Sequence, residues 1–126
     1  MSDTVTQGIR IEVEASFEPD HSKPPEQFLF SYRVRISNLG DQTVRLISRR
    51  WVITDGEGRQ QVVEGAGVVG QQPTLEPGES FEYSSFCPLE TAVGWMEGSY
   101  WMEISSEESF EAEIGRFTLA APNAVN

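Results

Sequence analysis

A single cysteine, Cys87, excludes any intrachain disulfide, and His21 is the only imidazole. One of each cannot close a zinc site. They also make a poor nucleophile–base pair. Cys87 stands before a proline with no cationic neighbour to lower its pKa, and His21 sits in a proline-rich segment. No apolar run of about 18 residues is present, nor a secretory leader, so the expectation is a soluble, cytoplasmic protein without membrane insertion. Positive charge is scarce too. Residues 1–59 set nine acidic against eight basic side chains, whereas residues 60–126 set eleven acidic ones against Arg116 alone. With a net charge of −11, such a field repels phosphate backbones and argues against nucleic-acid binding.

The 126 residues suit one domain, 1–126, with an ordered core over about 8–119. Period-two alternation dominates. Ile9, Ile11, Val13, Ala15 and Phe17 alternate with polar residues, as do Phe28, Phe30, Tyr32, Val34 and Ile36. Met1–Gln7 reads as a frayed terminus, and Ala120–Asn126 as a loose tail. Within Thr43–Thr54 the inward parity switches between Leu46 and Trp51, which requires a bulge near Ser48-Arg49-Arg50. Further strands are expected at Arg59–Glu64, Ser80–Phe86, Ser99–Ser105 and Phe110–Leu119. Gly115 marks a bulge in the last, and Cys87–Gly94 reads as a long crossing loop. Seven or eight short antiparallel strands with no helical window predict an all-β immunoglobulin/fibronectin type III-like sandwich, with Trp51 filling the space between the sheets.

Chemistry-bearing candidates are few. Glu64-Gly65-Ala66-Gly67-Val68-Val69-Gly70 spells a dinucleotide-binding signature, yet Gln71-Gln72-Pro73-Thr74-Leu75-Glu76-Pro77-Gly78 cannot carry the helix that such a loop must open. The plainer reading is a strand-to-strand connection needing positive φ. Its rival is an anion nest at Gly65, Gly67 and Gly70, aided by Arg49, Arg50 or Arg59, for pyrophosphate or a nucleotide. Glu107, Glu108, Glu111 and Glu113 form an acidic hairpin whose carboxylates more simply protect a strand edge than hold a cation. Trp101 points outward in its strand, and with Trp95 it is either a contact for a partner or a cover for a sheet edge. No catalytic residue and no cofactor is assigned, so the chain reads as non-enzymatic.

Several runs resemble the bacterial ApaG family: Trp51-Val52-Ile53-Thr54-Asp55-Gly56, Val63–Pro73, Leu75–Tyr83, Cys87-Pro88-Leu89 and Gly98-Ser99-Tyr100. The resemblance covers Ile9 to Leu119. It implies a fibronectin type III-like sandwich, a link to cobalt and magnesium efflux without an established activity, and a glycine signature at Gly65, Gly67 and Gly70 for which pyrophosphate binding is suggested. Related eukaryotic domains, in F-box proteins and a polymerase-delta-interacting protein, look like protein-interaction modules. Three positions depart from the pattern. Arg49-Arg50-Trp51 stands where Arg-His-Trp is usual, Phe86 stands where a glycine is typical, and Trp101 replaces a smaller or polar residue. The missing histidine leaves no imidazole there, while an anionic site would gain an arginine. Together these features predict a module that binds a protein partner or a second copy of itself.

Overall fold

The computed structural model of the protein describes residues 1–122. Nine strands follow in order: β1 Ser2–Thr6, β2 Ile9–Phe17, β3 Phe28–Asn38, β4 Val44–Asp55, β5 Gln60–Ala66, β6 Thr74–Leu75, β7 Ser80–Leu89, β8 Val93–Ser105 and β9 Glu108–Ala120. One sheet has the order β1-β2-β3-β7, and the other β5-β4-β8-β9 with β6 also on β4. All pairs are antiparallel. The two sheets stack face to face as an immunoglobulin/fibronectin type III-like β-sandwich. The only helical segment among the described residues is one 3-10 turn, Pro19–His21.

The alternating apolar residues meet between the sheets. Ile11, Val13, Val34 and Ile36 of the first sheet and Leu46, Tyr100, Met102 and Ala112 of the second are fully buried. Trp51 stands among them at 3 % exposure. It meets Tyr32, Phe117 and Tyr100 edge to face, at ring separations of 5.4, 5.9 and 6.3 Å. Each such pair adds about 0.5–1.5 kcal/mol beyond area burial.

Two bulges aim the side chains. In β4 the register slips between Leu46 and Ser48, so Ile47 is the extra residue. That lies just ahead of the Ser48–Arg50 stretch expected from parity alone. In β9, Gly115 and Arg116 together oppose Glu97, because Met96 pairs with Phe117 and Gly98 with Ile114. The position of Gly115 is set by β1: a Cβ there would overlap the Thr4 hydroxyl.

Four expectations are corrected. Residues 2–6 are not frayed but pair along β2, and Thr6 accepts a hydrogen bond from the Glu113 amide at 3.1 Å. The return strand runs through Gly65 to Ala66. Cys87–Gly94 is not a long loop, since β7 continues to Leu89 and β8 begins at Val93. Pro88 is tolerated because β7 is an edge strand and needs no N–H on its free side. The supposed tail begins as strand, with Ala120 in β9 and the Ala121 amide bonded to the Ala92 carbonyl; residues 123–126 lie outside the described residues.

The sandwich is closed on one flank only. On that flank β9 packs against β1 and β2. On the other, β5 and β7 are the sheet edges and leave a cleft between the layers.

Candidate functional site

The glycine segment joins β5 to β6, and no helix follows it. Each of its three glycines has its own structural reason. Gly65 lies opposite Arg49 in the β4–β5 ladder. The Arg49 guanidinium rests over it, with Nη2 2.8 Å from where a Cβ would stand. Gly67 has φ 62°, and any side chain there would overlap the Gln71 carbonyl. Gly70 has φ 79° and open space around it. Val68 and Gln71 exchange both backbone hydrogen bonds, at 2.8 and 2.9 Å. Between them Val69 and Gly70 both have positive φ, at 43° and 79°, which is the pattern of a type I′ hairpin turn.

The loop and the β4 bulge form one unit. The Ile47 carbonyl accepts from the Gly67 amide at 2.9 Å and from Gln72 Nε2 at 2.9 Å. Gln72 Oε1 in turn accepts from Arg45 Nη2 at 3.1 Å. Arg49 Nη1 donates to the carbonyls of Ala66 and Gly67 at 3.1 and 2.9 Å. The amides of Gly67, Val68 and Gln71 and one nitrogen of Arg49 are thus engaged within the loop itself.

The structure separates the residues that sequence grouped. Arg49 shares the inward parity of Trp51 and Ile53, while Arg50 faces out with Val52 and pairs with Glu64 at 3.6 Å. Arg59 stands at the opposite end of the β4–β5 hairpin. There it binds Asp55 at 2.7 Å, Glu57 at 3.1 Å and Glu90 at 3.5 Å. Burial works to raise the Asp55 carboxyl, but the Arg59 side chain and the Arg59 and Glu57 amides outweigh it and hold it below the usual range.

Two surfaces result. The first is the outer face of the β5-β4-β8-β9 sheet. Trp101, 42 % exposed, stands on its central strand β8, with Ser48 of β4 and Glu111 of β9 as register partners. Val62 on β5 is 48 % exposed, opposite Val52. Trp95 lies on the same face, half-buried under Arg116, whose guanidinium is 5.1 Å from the ring centre. Trp101 is not at a sheet edge, so of the two readings offered for it, edge cover does not fit its position.

The second surface is the cleft of about 230 Å³ between β5 and β7. Trp51, Tyr32, Val63, Pro88 and Met96 line it, Phe86 (64 % exposed) is at its rim, and Arg49, Gln61 and Ser85 are its polar groups. Sequence reasoning did not find it. The Tyr83 and Tyr100 hydroxyls bond each other across the two sheets, and burial pushes all three tyrosines up. Burial also pushes the Cys87 thiol up to about 11, away from nucleophilic use at neutral pH. Alternation marks these residues as inward, but only the strand order shows that they share an open edge.

No group of three or more His, Cys, Asp or Glu side chains among the described residues is placed to hold a metal ion, the Glu107–Glu113 hairpin included. Nor is any helix there long and apolar enough to cross a membrane.

Comparison with known proteins agrees with this architecture. Protein ApaG of Anaeromyxobacter dehalogenans strain 2CP-1 is 50% identical over 126 residues, covering all of both chains. Protein ApaG of Methylorubrum extorquens strain PA1 is 53% identical over 119 residues, 94% of this chain and 92% of its own. A crystal structure from Bordetella pertussis, described as an ApaA protein, superposes with a TM-score of 0.88 at 47% identity, over 91% of this chain and 94% of that one. The ApaG domain family matches residues 18–104, and with full-length identity to its members at this level the chain belongs to that family.

Proposed function

We infer that the protein is a non-enzymatic interaction module whose partner, another protein or a second copy of the chain, docks on the outer face of the β5-β4-β8-β9 sheet. The observation that carries this reading is Trp101, a large aromatic 42 % exposed in the middle of a sheet face on which Val62 is also exposed. Tryptophan is enriched among the anchors of protein interfaces, which sit within a polar rim. Here the rim is supplied by Arg50, Glu64, Ser99 and Glu111. The link to cobalt and magnesium efflux comes from family resemblance alone, and it would be exerted through such a partner.

The test is site-specific photo-crosslinking in cells from position 101, with position 33 on the opposite sheet as control, alongside sedimentation of the purified chain. Expected are a discrete crosslinked protein or dimer from position 101 alone, and its loss when Val62 and Arg50 are replaced by Ser. Equal crosslinking from both positions, with a monomer at every concentration, would sink the reading.

A small-anion site at Gly65, Gly67 and Gly70 with Arg49, Arg50 and Arg59 is the second reading. The amides left free at the turn, those of Val69 and Gly70, are its support. The dispersal of the three arginines weighs against it.

A further inference from the structure

The geometry points to the cleft between β5 and β7 as a binding site for a small aromatic carboxylate, with the ring between the sheets and the carboxylate on Arg49. Three observations converge on it. First, six of the eight arginines form salt bridges: Arg10, Arg33, Arg35, Arg50, Arg59 and Arg116. Arg45 is held instead by Gln72. Arg49, half-buried at the cleft, forms no salt bridge among the described residues of a chain with 20 carboxylates. Its Nη1 is occupied by the Ala66 and Gly67 carbonyls, which fix the guanidinium plane and leave Nη2 and Nε to an incoming acceptor.

Second, the walls are chosen for a flat apolar body. Trp51, Tyr32, Val63, Pro88 and Met96 give the cleft its apolar lining, and no acidic residue lines the space. Of the acidic groups on this flank, Asp55 and Glu90 lie at the far end and are bound to Arg59, while Glu64 of β5 and Glu82 of β7 pair with Arg50 and Arg35. A carboxylate is therefore welcomed at one end only. Third, about 230 Å³ is below the roughly 300–1,000 Å³ of drug-sized ligand pockets and suits a single ring with a short acid arm. The anion reading at the glycine loop also enlists Arg49, which rests over Gly65, so the two are separated by where the shifts fall: the Val69 and Gly70 amides for pyrophosphate, the cleft for the aromatic acid. Docking at Trp101 uses the outer sheet face and is not needed here.

Phenylacetate is the probe. Isotope-labelled protein is titrated with it, with 2-phenylethanol as the neutral counterpart, acetate as the ringless one, and inorganic pyrophosphate as the probe of the glycine loop. Expected are saturable shifts at the Trp51 indole N–H and the Val63 and Ser85 amides. Affinity should be about tenfold better than for 2-phenylethanol, the worth of one charge-assisted pair. Arg49→Gln should abolish the preference for the acid. Because that change also loosens the glycine loop, Val63→Phe provides a second arm: it fills the cleft, leaves Arg49 intact and should abolish the shifts while the rest of the amide spectrum stays native. Four results would overturn the assignment. They are absence of saturation at roughly ten millimolar, where ligands of this size register; equal binding of acid and alcohol; shifts confined to Gly67–Gly70 or Trp101; and undiminished binding by Val63→Phe.

Discussion

Val69 holds φ at 43°, a conformation that its β-branched side chain strongly disfavours. The residue is 56 % exposed, so no packing of its own offsets the strain. The turn is enforced from outside, by the paired Val68 and Gln71 and by the Ile47 carbonyl to which Gly67 and Gln72 donate. Replacing Val69 by Asn, which tolerates positive φ ahead of a glycine, should raise unfolding stability by about 1 kcal/mol. At the glycines the sign reverses and the sizes separate. Gly67→Ala should cost about 3 kcal/mol, since the methyl meets backbone as well as positive φ. Gly70→Ala, with only the φ penalty in open space, should cost about 1–2 kcal/mol. Denaturant midpoints of the three variants check the order. Equal losses at the two glycines would show that crowding against Gln71 is not what Gly67 relieves.

Among elements, the three tyrosines of β3, β7 and β8 report on the stacking of the sheets. They are all the tyrosines the chain has. Burial raises their pKa values in the folded protein, so folding favours the neutral phenols. The stabilisation is complete below about pH 10, where unfolded tyrosine ionises, and is lost as pH climbs through the higher folded values. Tyrosinate absorbance should therefore rise in one cooperative step, together with loss of the β-sheet signal, rather than as free phenols near pH 10. The individual strands were largely legible. Alternation in Ile9–Phe17 and Phe28–Ile36 reads directly, because one buried face imposes period two. The β4 bulge was detectable from the parity clash between Leu46 and Trp51. β1 was not, since Ser2–Thr6 carries one large apolar residue, Val5, and its order derives from pairing with β2 and from the Thr6–Glu113 bond. The extension of β7 was hidden by Pro88, which signals a loop until its position on an edge is known.

At the scale of the whole molecule, the functional candidates depend on strand order, which local pattern does not encode. Arg49 and Arg50 are adjacent in sequence and sit on opposite faces; Arg49 and Tyr32 are distant in sequence and share a cleft. The outward parity of Trp101 was readable, whereas the open flank between β5 and β7 was not. That asymmetry predicts uneven protection. Amides of β5 should exchange with solvent at least about tenfold faster than those of β8 and β9, because local opening there breaks one ladder and frees only Val63 from the core. Native-state hydrogen exchange measures this directly, and uniform protection of both flanks would contradict it.

Because the layers are clasped along β1 and β9 and tied on the other side by the Tyr83–Tyr100 bond, the approach to Trp51 is a slot between β5 and β7. A guest of that shape reaches the indole without any strand leaving its neighbour.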